Sequence, residues 1–267
     1  MITLDRQAAA DLCMGATVLG TGGGGSPELG IALLEAAMEA GKSVRLTTAE
    51  EVPDDGIVVM PAFVGSIAPG AKDDRYARAM REKILTEESP LLVGLRLLES
   101  HIGRKAFAVL PVEMGGLNTA VAGILGALAG IPFVDGDTIG RAKPELEMGS
   151  YTLHGFPLPP MALCDVWGNR ALVIQTQSFK SAEQIARALA VVGGGTVTVR
   201  CPVNGTALRR MAIRETVSRA LAIGRALREA QAADRDAVAA VIAAAGGVRV
   251  FQGRVASLAW EDRGGFM

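Results

Sequence analysis

Three acidic residues beside glycine turns are the strongest chemical signal in the chain. Glu113 stands in Pro111-Val112-Glu113-Met114-Gly115-Gly116-Leu117-Asn118, and Asp135 and Asp137 stand in Val134-Asp135-Gly136-Asp137-Thr138-Ile139-Gly140-Arg141. Each group follows a segment that reads as a strand, so the three carboxylates are expected at one sheet edge, where ligands gather in open α/β folds. Like charges brought together either raise one pKa enough to make a general acid or base, or recruit a divalent cation through oxygen ligands. If a metal is bound, Glu113, Asp135 and Asp137 would be its ligands. Arg141 would polarise a substrate carbonyl, position an acid, or act as an internal counter-ion. Set against these roles, Glu113 would be a solvated loop glutamate, and an Asp–Arg pair would close a turn. Asp165 is a weaker member of the same cluster, while Glu145 and Glu147 fit a helix start.

The second feature is Gly20-Thr21-Gly22-Gly23-Gly24-Gly25-Ser26-Pro27. Its backbone N–H groups and the helix N-terminus after it could cradle a carboxylate or phosphate, which makes Thr21, Gly22, Gly23, Gly24 and Gly25, with Asn118, candidate substrate-binding residues. The alternative is a tight helix–helix connection that only glycine can make. No Gly-Lys-Ser/Thr follows, and a helix rather than a strand precedes, so neither a Walker loop nor a dinucleotide fingerprint is present.

The elements that must position these groups alternate between strand and helix. Arg6 to Leu19 carries apolar residues at helical spacing, and Ser26 and Pro27 open a second helix to about Ala40. Ser43 to Thr47, Gly56 to Met60, Ala106 to Val112 and Pro132 to Val134 read as strands; Ala71 to Leu85, Leu91 to His101 and Asn118 to Leu128 read as helices. The pattern predicts an α/β fold whose N-terminal domain, 1–166, is a mostly parallel sheet covered by helices. The prolines Pro157, Pro159 and Pro160 read as a stiff connector to a smaller α+β domain, 167–267. In it Arg170 to Gln177, Thr196 to Cys201 and Val248 to Trp260 read as strands, and Ala182 to Val192 and Thr216 to Ala230 as helices.

Composition narrows the function classes. A net charge of −1 and 4% aromatic residues leave no basic, base-stacking face, so nucleic acid is not an expected partner. The apolar stretch Thr119 to Val134 is too short and rich in small residues to span a bilayer, and Met1 to Arg6 has no export signature, so no membrane association and a cytoplasmic location are expected. Cys13, Cys164 and Cys201 lack C-x-x-C spacing, which points to neither a disulfide framework nor a zinc site. His101 and His154, distant in sequence, are not read as a metal pair.

Four ordered segments carry a resemblance. Leu19-Gly-Thr-Gly-Gly-Gly-Gly-Ser-Pro27, Glu113-Met-Gly-Gly-Leu-Asn118, Asp135-Gly-Asp-Thr-Ile-Gly-Arg-Ala-Lys-Pro-Glu145 and Asp165-Val-Trp-Gly-Asn169 together resemble the family long catalogued as DUF917, now named after S-methyl-thiohydantoin desulfurase. Ser218 to Ala230 resembles the helix after that family's Gly-Thr-Val-Ser stretch. The resemblance implies an N-terminal α/β domain, a smaller β-containing domain, and hydantoin-type ring metabolism beside hydantoinase and oxoprolinase enzymes. Relatives carry a clearer Ala-Pro and Glu-Lys pattern where this chain has Pro61 to Asp73, so no role is assigned to Lys72. Relatives also run on beyond Gly264-Gly265-Phe266, so the second domain is expected to be incomplete, with a sheet edge that a partner would cover.

The leading expectation is a hydrolase or desulfurase of a small hydantoin or S-alkyl-thiohydantoin ring, with Glu113, Asp135, Asp137 and Arg141 as catalytic candidates. Water would be the nucleophile, and the glycine loop would grip a substrate carboxylate. The alternative is a non-catalytic ligand-binding or regulatory subunit working with a hydantoinase-type enzyme; nucleotide binding ranks third. The partners expected are a small-molecule substrate and either further copies of the chain or a hydantoinase-type subunit.

Overall fold

The computed structural model describes residues 1–65 and 74–259. Lys72, Trp260 and Gly264 to Phe266 lie outside them. The chain opens with β1 (Ile2–Thr3), α1 (Arg6–Leu19), α2 (Pro27–Glu39), β2 (Arg45–Thr47) and β3 (Ile57–Val64). It continues through α3 (Asp74–Lys83), α4 (Pro90–Ile102), β4 (Ala106–Val109), α5 (Asn118–Ala129), β5 (Phe133–Val134) and β6 (Gly136–Asp137). Then come α6 (Ser150–Leu153), β7 (Met161–Cys164), β8 (Arg170–Val173), α7 (Phe179–Gly193) and β9 (Thr196–Val203). The described part ends with α8 (Gly205–Met211), β10 (Ile213–Arg214), α9 (Thr216–Ala232) and α10 (Ala237–Ala245).

The fold is α/β, as the alternation implied. Among the described residues the main sheet has 8 strands in the order β1-β2-β5-β4-β3-β9-β7-β8. Strands β2, β5, β4 and β3 are mutually parallel, whereas β1 at one side and β9, β7 and β8 at the other join antiparallel. Strand β9 pairs with β3 from Val58 to Val64 and with β7 from Met161 to Cys164, so the sheet is continuous across the boundary expected near Trp167. A small second sheet joins β10 to β6.

Strand alternation divides the core. Ile57, Val59, Val109, Phe133, Val197 and Val199 pack toward α1, α2, α4 and α5. Val58, Met60, Ala62, Leu110, Val134 and Leu163 pack toward Tyr151 of α6, Ala182 and Ala186 of α7 and Leu208 of α8. Between the pairs Val58–Val203 and Met60–Arg200, one residue of β3 faces two of β9, and Cys201 there has φ 49°. This bulge turns the consecutive side chains of Arg200 and Cys201 toward the same layer.

Helix ends follow their capping residues. Asp5 and Ser26 accept from Ala8 and Leu29 amides to start α1 and α2. The strand expected at Val248 to Trp260 does not form over the described residues 248–259, and α10 precedes it instead. Alternating residues make a strand only with a partner for their backbone groups. Val248, Val250, Phe251, Val255 and Leu258 are each more than four-fifths exposed, and among the described residues no strand lies beside them to pair with.

Helix α9 crosses α1 at backbone contact. A Cβ built on Gly15 would meet the Ala220 carbonyl oxygen at 1.8 Å, and one on Gly224 would meet that of Asp11 at 1.8 Å. Beside the crossing, Arg228 holds the buried Asp11 carboxylate through Nε and Nη2 at 2.8 and 2.9 Å. Gly15→Ala or Gly224→Ala must push the helices apart, and urea unfolding should show a loss of about 1–3 kcal/mol or more. Unchanged stability in both variants would contradict this packing.

Candidate functional site

The glycine loop is held from both sides. The Thr21, Gly22 and Gly23 amides donate to the carbonyls of Val18, Thr17 and Gly20, completing the end of α1. The Gly24 carbonyl accepts from the Leu117 and Asn118 amides at 3.0 and 2.9 Å, occupying donors that the start of α5 would otherwise leave free. Gly24, at φ +78°, lies so close to Gly115 that a Cβ on it would be 2.6 Å from the Gly115 Cα. The two glycine stretches interlock, the tight connection weighed above. The Thr21 to Gly23 amides are therefore not available for an anion cradle.

Thr21, Gly23, Gly24 and Gly25 nevertheless line one wall of a cleft of about 630 Å³ at the C-terminal ends of β3 and β4. Gly22 does not line it. The other walls include Phe63, Glu113, Asn118, Arg141, Lys143, Arg187 and Arg200. Glycines near the start of the chain and a carboxylate some ninety residues later thus share one hollow.

Glu113 is buried and held at both oxygens. Asn118 Nδ2 donates to its Oε1 at 2.5 Å, and the Lys143 amide donates to its Oε2 at 2.7 Å. Asn118 is fixed in turn, since its Oδ1 accepts from the Phe63 amide at 2.8 Å. The end of β3, the start of α5 and the loop after β6 therefore meet at one carboxylate.

The aspartates are placed differently. Asp135 accepts from Ser218 through both oxygens, the amide at 2.9 Å and the hydroxyl, and so fastens the start of α9. It does not line the cleft, because the chain turns away after β5 to pair β6 with β10. Asp137 is fully buried and accepts from the Gly140 amide at 2.9 and 2.8 Å and from the Ile139 amide at 3.3 Å. It too stands behind the cleft lining. The expected convergence of three acids fails, because each is committed to different donors. Among the described residues no three His, Cys, Asp or Glu side chains come together as a metal would require. The set Glu113, Asp135 and Asp137 therefore does not fit a shared divalent ion.

Arg141 lies exposed at the rim, its Nε donating to the Ala142 carbonyl at 3.0 Å, and it pairs with neither aspartate. Asp165 organises its own turn, accepting from the Trp167 and Asn169 amides at 2.9 Å each. The pattern reading of the sequence passed over Lys143, Tyr151 and Arg200. Lys143 Nζ donates to the Tyr151 hydroxyl at 2.8 Å and to Thr138 Oγ1 at 3.3 Å. Burial, and next the charge of Arg200, pull the Lys143 ammonium down to about 7, against the opposing pull of Glu113 and Asp137. Burial pushes the Tyr151 phenol up to about 12, with Arg200 pulling the other way. One signal for Arg200 was legible: it is a charged residue inside the otherwise apolar and threonine-bearing run Thr196 to Val203.

Residues 7–175 match the model of the S-Me-THD-like N-terminal domain, and residues 177–267 match that of the S-Me-THD-like C-terminal domain. The chain belongs to the S-Me-THD-like family. A crystal structure of a protein from Chromobacterium violaceum is similar at 27% identity with a TM-score of 0.70. The match covers 86% of this chain and 63% of that one, so the chain spans less than two thirds of that protein's length. No curated protein matches the chain. Among the described residues no helix is long and apolar enough to cross a membrane.

Burial raises Asp137 to about 6, with the Gly140 and Ile139 amides opposing. A carboxyl whose folded pKa exceeds its unfolded value binds more protons in the native state, so its contribution to stability falls as pH rises between the two values and is constant above. Relative to Asp137→Asn, the parent should lose on the order of 3 kcal/mol between about pH 4 and pH 6.5. Parallel urea-unfolding curves for the two proteins across that range would contradict the assignment.

Proposed function

We propose that the protein hydrolyses a small five-membered hydantoin or S-alkyl-thiohydantoin ring, with Glu113 as general base. The observation that carries the reading is the shared cleft. Its volume of about 630 Å³ falls among ligand pockets of roughly 300–1,000 Å³, and Glu113, Asn118 and Lys143 meet in its wall. Membership of the S-Me-THD-like family supports a thiohydantoin-related role.

For an S-methyl-thiohydantoin the chemistry would run as follows. Water adds to the ring carbon bearing sulfur and gives a proton to Glu113. The carbon–sulfur bond then breaks, the oxygen becomes a ring carbonyl, and a thiol departs. The two protons of the water end on the ring nitrogen and the sulfur. Each Glu113 oxygen accepts one hydrogen bond and keeps a lone pair for this transfer. Lys143, poised near neutrality, is suited to protonate the leaving thiolate and to recover the proton from Glu113. The glycine loop shapes the cleft wall, and Arg141 contributes charge at the rim.

A second reading, a ligand-binding subunit without turnover, draws on the fact that both Glu113 oxygens are already engaged. Kinetics separate the two. Glu113→Gln should retain the fold and lower kcat on an S-methyl-thiohydantoin by about 10²- to 10⁴-fold, read as thiol release. Asp135→Asn should lower Tm by weakening the start of α9 while leaving kcat near the parental value. A Glu113→Gln protein that turns over at the parental rate ends the general-base assignment, and a parent that binds the ring without thiol release favours the second reading.

A further inference from the structure

A second hollow adjoins the cleft and has the opposite chemistry. It holds about 310 Å³ and is lined by Leu29 and Leu33 of α2, Met80 of α3, Leu91 of α4 and Val121 and Ile124 of α5. Among the described residues no charged side chain lines it. The hydroxyl of Ser26, at its edge, is engaged locally, accepting from the Leu29 amide at 3.1 Å and donating to Glu28 at 2.6 Å.

Gly25, Phe63 and Gly65 line both hollows, so the two meet there. Neither glycine has a side chain to close the junction, and a Cβ on Gly65 would press on the Phe63 ring at 2.9 Å. That ring packs against Tyr76, their centroids 5.4 Å apart and their planes at 50°. The Phe63 amide is held by Asn118, whose side-chain amide in turn reaches Glu113. One residue thus joins the apolar chamber to the carboxylate of the cleft. Protein interiors leave few voids larger than a water molecule. An apolar cavity of roughly 150 Å³ stays dry and admits one benzene, so a chamber of about 310 Å³ has room for one aryl or branched aliphatic group. Leu33, Met80, Leu91, Val121 and Ile124 are buried, which places the lining within the core and out of reach of a partner protein.

We propose that this chamber is a specificity pocket of the cleft, taking an apolar aryl or branched alkyl side chain borne on a carbon of the substrate ring while the ring itself stays beside Glu113 and Asn118. The identity of the ring rests on the function proposed above; the side chain rests on the chamber. A polar group of the same shape fits less well, because the aliphatic lining offers its donors and acceptors no partners.

Calorimetry on the whole protein tests this with unsubstituted hydantoin and its 5-isobutyl, 5-benzyl and 5-carboxamidomethyl derivatives, and thermal shift with toluene probes the chamber alone. The isobutyl and benzyl compounds should bind about tenfold or more tightly than the bare ring, and isobutyl about tenfold or more tightly than carboxamidomethyl, which has its shape. Binding of the apolar pair should also carry the more negative heat-capacity change. In thiol release from S-methyl-thiohydantoins bearing the same groups, the preference should appear mainly in KM. Val121→Phe and Ala77→Phe fill the chamber from two different helices, and each should erase the preference. Should either fail to fold, Ala77→Leu serves, with a smaller loss of preference. Equal binding of the four hydantoins, a preference that survives both fillings, or tighter binding of carboxamidomethyl than of isobutyl overturns the proposal. Toluene that raises the parental Tm but not that of the filled variants, with no hydantoin bound, would uphold the apolar pocket and sink the ring. Turnover of the rings at rates indifferent to their side chains would do the reverse.

Discussion

The cleft is organised around a guanidinium taken out of water without a full set of acceptors. Arg200 is fully buried; its Nη1 donates to the Thr198 hydroxyl, while Nε and Nη2 lack a well-aligned acceptor among the described residues and have the Tyr151 hydroxyl as their polar neighbour. Burying an ion costs several kcal/mol even after relaxation, and each unsatisfied donor adds to that cost. The effects of Arg200 reach the neighbouring side chains. The positive charge adds to burial in lowering Lys143 and opposes the burial-driven rise of Tyr151. The bulge at Cys201 sets its direction, since without the extra residue the side chains of positions 200 and 201 would point to opposite faces.

The facing wall is built from backbone rather than charge. Gly24 and Gly115 touch because neither has a side chain, and the Gly24 carbonyl then occupies the leading amides of α5. That contact sets where Asn118 begins its helix. Asn118 links Phe63 at the end of β3 to Glu113 after β4. A glycine loop that looked like a binding element thus acts chiefly as a spacer that places a carboxylate. Farther back, Asp135 anchors α9, and α9 crosses α1 at Gly15 and Gly224. The loop that carries Lys143 is held from that side.

Much of the fold was legible because local rules fixed it. Ser26 and Pro27 marked the start of α2, and the period of apolar residues marked α1 and α9 to within a few positions. The shared position of the glycine loop, Glu113 and Asn118 was also readable, from their places after strands and before helices. What pattern could not supply was the direction of side chains beyond a turn. Asp135 and Asp137 sit two apart and look equivalent in sequence, yet β6 turns toward β10 and sends one to a helix start and the other into its own turn. Arg200 lay within an expected strand, where a lone charge reads as an edge or surface residue. Its burial depends on β9 entering the sheet between β3 and β7, a long-range pairing that no local spacing encodes.

The most direct measurement is a crystal structure of the protein soaked with an S-methyl-thiohydantoin. The account requires density in the cleft with the ring against the wall formed by Glu113 and Asn118. A ligand seated outside this cleft, or one inside it that leaves Glu113 untouched, would contradict it.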